Sequence, residues 1–392
     1  MNVVASFRAR EKFLVLEIAT DGANGLFFHL DEDHAIVIEK YVRGIDLAKF
    51  LARPWRRATQ QAWEGEYLFK DHRRVIAVAG PAMATTVPVP VTLVREPADV
   101  KLPITVPELE NLIAQEMAKI FTACRTEAAA RLDVHELDAV LVGEKAGAFT
   151  VDGKAVTDPA GQTGKKIGLF IELTFTTRAL FETLTPFFNA PDDFYFAESP
   201  QARLLALARV RPLPLALVAP PAVFVLEAAH GKDAYPVLYR EPFAWNVDAL
   251  LAPLREMFGV SEAVARELYA TFLSGGCSAH AARIITRAIE PAVAALFAEA
   301  SHRHLAGHVS FDAPYGIPIS EAHRHGGVVF EEIPFDEVLD HAGFRGVKGA
   351  AAQGIEQHTL SHYVFPFVEA YFDKSNTEIN RKLRRRLHWL AS

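Results

Sequence analysis

Residues 149–176, FTVDGKAVTDPAGQTGKKIGLFIELTFT, decide how the rest of the chain is read. The second half alternates, with Ile167, Leu169, Ile171, Leu173 and Phe175 on one side and Gly168, Phe170, Glu172, Thr174 and Thr176 on the other. A period of two predicts a long strand with one buried face. Upstream, Val151-Asp152-Gly153-Lys154 predicts a tight hairpin, because Asp-Gly accepts the positive φ angles of a type I′ turn. The segment Asp158-Pro159-Ala160-Gly161-Gln162-Thr163-Gly164 predicts an irregular loop, with Gly161 and Gly164 free to take φ > 0.

Working outward, residues 87–94 and 137–142 read as strands on either side of a helix. Thr105-Val106-Pro107-Glu108 is a capping box, in which the Thr hydroxyl bonds the Glu108 N–H and the Glu side chain reaches back. Leu109, Leu112, Ile113, Met117, Ile120 and Phe121 then form an apolar stripe at helical spacing. The order is strand, helix, strand, hairpin, long strand.

That order, with Val151, Asp152, Gly153, Val156, Asp158, Pro159, Gly161 and Gly164 as a "VDG…V.DP.G..G" loop, resembles the inserted module of two actin-like proteins. They are FtsA, of bacterial division, and PilM, of type IV pilus assembly. The resemblance implies an α/β fold, two-lobed and actin-like (ribonuclease H-like), with a strand-helix-strand-strand subdomain inserted in the first lobe. It divides the chain into 1–86 (first lobe, N-terminal part), 87–177 (inserted module), 178–212 (first lobe, return) and 213–344 (second lobe). Residues 345–372 follow as a C-terminal helical segment and 373–392 as a basic tail. It also implies that the module, through Val151, Asp152, Gly153, Asp158, Pro159, Gly161 and Gly164, is the partner-binding part.

In the resemblance, ATP and Mg²⁺ are held by three loops, and this chain departs from the pattern at each. Residues 13–18, FLVLEI, predict the first strand, residues 21–25 a turn, and residues 26–30 and 35–41 the next strands. The first phosphate turn has the pattern Leu-Asp-Ile-Gly-Thr, against Leu16-Glu17-Ile18-Ala19-Thr20 here. Glu17 reaches one methylene further than Asp, and Ala19 adds a Cβ where backbone has to approach phosphate. The second phosphate hairpin corresponds to Ala219-Pro220-Pro221, between strands at 215–218 and 223–226. Proline has no N–H to donate to phosphate. The Gly-Gly adenosine loop corresponds to Asp312-Ala313-Pro314-Tyr315-Gly316. Glu17, Ala19, Thr20, Ala219, Pro220 and Pro221 are therefore nucleotide positions by resemblance. Their chemistry predicts a pseudo-ATPase with no cofactor.

Residues 75–79 and 194–197 predict further strands, and 177–188 and 200–209 predict helices. Asn246 caps a predicted helix at 247–258 whose buried face is Leu250, Leu251, Leu254, Met257 and Phe258, with Gly259 at its end. Ser261 caps a second helix, and residues 278–301 predict a third with Ile284, Ile285, Ile289, Val293, Leu296 and Phe297 inward. Residues 309–311 and 328–333 read as strands and 354–372 as a last helical segment.

A chain of 392 residues with 50% hydrophobic and 23% charged residues is long enough for two or three compact units. A formal net charge of −7 argues against a general nucleic-acid binder. Cys124 and Cys277, far apart, fit a reducing cytosol. The start, MNVVASFRAREKF, places charges where a signal peptide needs an apolar run. Prolines interrupt the uncharged runs at 75–94 and 212–226, so neither reads as a membrane span. His302, His304, His308, His323 and His325 cluster without the His-Glu-x-x-His pattern, and no metal site is expected.

The tail carries another signal. Ser375-Asn376-Thr377-Glu378 is a second capping box, ahead of INRKLRRRLHWL. At about 100° per residue, Ile379, Leu383, Leu387 and Leu390 share a quadrant, while Arg381, Arg384 and Arg385 face away. Lys382 adds charge, Trp389 sits at the edge, and Arg386 within the stripe has to snorkel. A basic amphipathic helix after the polar hinge at 373–376 reads as an anchor for anionic membrane. The alternative is a terminal helix folded onto its own domain. The leading expectation is an FtsA-like peripheral scaffold on the inner face of the cytoplasmic membrane, with division or pilus proteins as partners and possible self-association. The alternatives are a PilM-like cytoplasmic adaptor and a working actin-like ATPase.

Overall fold

The computed structural model describes residues 11–20, 22–47, 49, 73–188, 194–219, 222–229, 235–243, 245, 248–273, 275–302, 307–311, 323–325, 328–331, 334–355, 357–373 and 380. The expectations for Pro220, Pro221, the 312–316 loop, Asn246, Ile379, 381–392 and the histidine side chains from 302 to 325 lie outside the described residues.

The chain divides into two compact units, one of residues 1–209, 228–237 and 335–392, the other of residues 210–227 and 238–334. In the first, β1 (Lys12–Ala19), β2 (Gly22–Leu30), β3 (Ile36–Ile45), β4 (Arg73–Ala79), β9 (Phe194–Glu198) and β16 (Val347–Lys348) form one sheet, in the order β16-β3-β2-β1-β4-β9. The β1–β2–β3 meander is antiparallel, and β4 and β9 join parallel. A second sheet, most of it in the second unit, has β10 (Leu215–Ala219), β11 (Ala222–Ala229), β12 (Tyr235–Pro242), β13 (Gly307–Phe311), β14 (His323–His325) and β15 (Val328–Glu331), in the order β12-β11-β10-β13-β15-β14; the end of β11 and the start of β12 fall within residues 228–237 of the first unit. Counted in chain order within each sheet, the first runs sixth, third, second, first, fourth, fifth and the second third, second, first, fourth, sixth, fifth, and the shared third, second, first, fourth core is the actin-like arrangement. The order itself carries the fold.

Between β4 and β9 the first unit holds β5 (Ala84–Val94), α1 (Val106–Leu132), β6 (Ala139–Val151), β7 (Lys154–Ala155) and β8 (Lys166–Thr177). These strands make their own sheet, β5-β8-β6-β7. The capping box of α1 forms, and Leu109, Ile113 and Met117 pack on Ile167, Leu169, Ile171, Leu173 and Phe175 in one apolar core. The first unit also contains α2 (Arg178–Phe188), α3 (Ser199–Leu207), α7 (Phe335–His341) and α8 (Gln357–Phe372). The second contains α4 (Asp248–Phe258), α5 (Glu262–Leu273) and α6 (Ala279–His302). Among the described residues no helix is long and apolar enough to cross a membrane.

The structure corrects several expectations. The turn placed at 21–25 is shorter, because Ala19 already faces Gly22 and Gly22–Leu30 is strand. The polar face of β8 is covered as well: Glu172 is 3% exposed and Thr176 0%. Met257 and Phe258 are 51% and 41% exposed. The core under α4 ends at Leu254, so the in-phase positions of the last turn overhang it. Of the two loop glycines free to take positive φ, Gly161 does so, at 83°, and Gly164 does not. β12, α7 and β16 were not anticipated from the sequence.

Candidate functional site

Alternation along β1 sends Leu14, Leu16 and Ile18 into a core with Leu180, Leu184 and Phe187 of α2. Phe13, on the opposite face, meets Phe367 of α8 edge-to-face at 4.8 Å between ring centroids. Glu17 shares the Phe13 face. Its Oε1 lies 2.9 Å from His362 Nδ1, and its Oε2 accepts from the Tyr363 hydroxyl at 2.9 Å. The Tyr363 hydroxyl lies 3.3 Å from that of Tyr41. Burial, and next the Glu17 charge, push the Tyr363 phenol far above its ordinary pKa, so it stays a donor.

A magnesium-nucleotide site needs carboxylate and water oxygens facing the ion. Here both Glu17 oxygens meet side chains of α8, His362 and Tyr363. Ala19 and Thr20 are exposed at the β1–β2 turn. The register of the second hairpin repeats the first, with Ala219 opposite Ala222 as Ala19 is opposite Gly22.

The module positions lie on a different sheet from Glu17. Asp152 and Gly153 take φ of 48° and 80°, as the hairpin requires. Asp152 Oδ1 accepts from the Lys166 N–H at 2.9 Å, which ties the hairpin to the start of β8. A Cβ on Gly164 would run into Val151 Cγ1, so this glycine serves close approach. Asp158 Oδ1 accepts from the Ala160 N–H at 2.8 Å, and Pro159 is buried. The Gly161 N–H donates to the Ile104 carbonyl at 2.8 Å, and the Ile104 N–H to that of Gln162 at 2.7 Å. Beneath them Arg95, its side chain 0% exposed, is bidentate to Glu108 at 2.6 and 2.9 Å and donates to the Gly164 carbonyl at 3.1 Å. Val151, Asp152 and Gly164 thus meet in one place, and these residues shape the loop.

Among solved structures the chain is similar to a PilM–PilN type IV pilus biogenesis complex, at 13% identity and a TM-score of 0.43 over 91% of this chain and 96% of that one. It is similar to the cytoplasmic domain of EpsL, an inner membrane component of the type II secretion system of Vibrio cholerae, at 11% and 0.31 over 85% and 94%. A Bacteroides thetaiotaomicron protein of unknown function with an actin-like ATPase fold matches at 8% and 0.29 over 66% and 82%. No family model matches the chain, and no curated protein matches it.

Sequence reasoning missed a buried polar seam on the outer part of β6. The Tyr235 hydroxyl donates to Glu172 Oε2 at 2.9 Å, and a Cβ on Gly147 would lie 2.5 Å from the Tyr235 ring. Lys145 Nζ lies 3.6 Å from Asp373 Oδ1. The Ala146 N–H donates to Asn380 Oδ1 at 2.9 Å. Nearby, Arg209 pairs with Glu369 at 3.2 Å, and burial foremost holds the Glu369 carboxyl above its ordinary range. Glu172 is the only acid in the alternating strand, which was the available signal. Its partner Tyr235 lies 63 positions away in a strand not foreseen.

Proposed function

We propose that this chain is a peripheral adaptor of a machine in the cell envelope: an actin-like body that holds protein partners through its inserted module and does not hydrolyse ATP. One observation carries this: both Glu17 oxygens are bonded to His362 and Tyr363. These two bonds turn the Glu17 carboxylate towards α8, which favours a structural role for it over a magnesium-ordering one. In millimolar Mg-ATP the purified chain releases phosphate no faster than buffer. Release that Glu17→Gln abolishes would overturn the proposal.

Of the two adaptors that the module resembles, the PilM-like one is the better fit. Asp373 and Asn380 are both tied to β6. A tail that begins on the module suits an adaptor gripping an inner-membrane protein more than one that anchors itself to lipid. The FtsA-like scaffold is the second reading, favoured by the basic amphipathic pattern of Ile379, Arg381, Lys382, Leu383, Arg384, Arg385, Leu387, Trp389 and Leu390. Sedimentation of the wild type with anionic vesicles as strongly as a tail-only peptide would put that second reading first.

A further inference from the structure

β5 is an edge strand of the module sheet. Among the described residues β8 pairs with one side of it and no strand pairs with the other. An open edge offers its N–H and C=O groups to any strand that approaches, one from a second copy included. The usual guard is charge, yet ATTVPVPVTLV, the whole of β5, carries none. Its valines and threonines suit a strand, so the edge needs another protection.

The contacts of β5 show which backbone groups face outward. The Thr86 N–H donates to Glu198 Oε2 at 2.8 Å, and the Thr86 carbonyl accepts from Arg131 at 3.0 Å, so both point away from β8. The Arg95 N–H donates to the Lys165 carbonyl at 3.0 Å, so the odd-numbered positions face β8. The β5–β8 register runs from Ala84 to Val94 without a shift, and in an antiparallel ladder the two kinds of pair alternate. Pro88, Pro90, Thr92 and Val94 therefore turn their backbone groups outward, as Thr86 does.

Along this edge the donors are removed in succession. The Ala84 N–H is used by the Gly80 carbonyl at 3.0 Å, and that of Thr86 by Glu198. Pro88 and Pro90 have no N–H. One position along, either proline would break the ladder to β8; where they stand they break nothing. Thr92 and Val94, both exposed, keep their N–H groups. If two copies met edge to edge about Val91, Thr92 and Val94 of each would donate to the Pro90 and Pro88 carbonyls of the other. The return bonds cannot form.

We propose that Pro88 and Pro90 close the open edge of the module against the β5 strand of a second copy, so that the sheet does not extend from copy to copy. This depends neither on the adaptor reading nor on ATP.

Pro88→Val/Pro90→Val restores both donors with a residue suited to a strand. In sedimentation velocity the full-length variant gains a concentration-dependent dimer or larger species that the wild type lacks. Raising its concentration about tenfold slows exchange of its Thr92 amide several-fold. Thr92→Pro added to this variant removes an outward donor again and reverses the gain. A folded Pro88→Val/Pro90→Val protein that sediments as the wild type does overturns the proposal. A second arm needs no variant: in the wild type the Thr92 and Val94 amides exchange at the same rate at both concentrations. Slower exchange at the higher one would show that copies already pair along this edge, and would overturn the proposal too.

Discussion

Glu17 and Tyr363 lie 346 positions apart and meet through a 2.9 Å hydrogen bond, hydroxyl to carboxylate, between β1 and α8. With Tyr363 fully buried, that bond decides what happens when either partner is lost. Glu17→Leu leaves a buried hydroxyl short of its charged acceptor and costs about 1–3 kcal/mol. Tyr363→Phe removes donor and polar group together and costs about 1 kcal/mol. Urea unfolding reads both, and an unchanged midpoint in Glu17→Leu would show that the contact contributes nothing.

The Arg95–Glu108 pair pins the loop before α1. Arg95→Ala leaves Glu108 without its buried partner and costs about 3 kcal/mol. The hydrogen bond from Arg95 holds the Glu108 carboxyl below its ordinary value of 4.5. A lowered folded pKa gives stability that is present above pH 4.5 and is lost as pH falls through the folded value. Melting of the wild type should therefore fall more steeply below that pH than melting of Glu108→Gln. Parallel acid limbs would remove Glu108 from the account.

Gly147 is needed for space. Gly147→Ala places a methyl 2.5 Å from the Tyr235 ring, so strand or ring has to move. The expected cost is about 1–3 kcal/mol. At Gly259, where no atom lies within 4 Å, an added Cβ meets only its φ of 61°. Gly147→Ala should lose near-ultraviolet tyrosine ellipticity as well as stability, whereas Gly259→Ala should lose stability alone. Equal spectra would mean that Tyr235 does not rest on Gly147.

If the contact of Asn380 with Ala146 restrains the tail, its affinity for lipid is masked. Asn380→Ala should sediment more strongly with anionic vesicles than the wild type, and the gain should weaken as salt rises. Leu387→Asp added to that variant should erase the gain at any salt. Equal sedimentation of wild type and Asn380→Ala would show that no lipid affinity is masked.

The repeating local patterns were legible in the sequence. The alternation through Phe175, the capping box at Thr105 and the Asp152-Gly153 turn each rest on neighbours a few residues away, and each formed. What stayed hidden depends on distant contacts. Nothing near Glu17 announces His362 or Tyr363, and nothing near Gly147 announces Tyr235. The spacing of Met257 matches Leu254, yet spacing cannot say where the core beneath a helix ends. Gly164 signalled a special position, but only the Val151 side chain shows that it serves packing.

If Glu17 is a structural carboxylate and the body works without nucleotide, the full-length chain melts alike with and without millimolar Mg-ATP. Binding to the folded state at a hundredfold excess over Kd would add about 2.7 kcal/mol, which a melting curve resolves. Superimposable curves are expected. A rise of several degrees that requires magnesium and disappears in Glu17→Gln would contradict a structural role for Glu17.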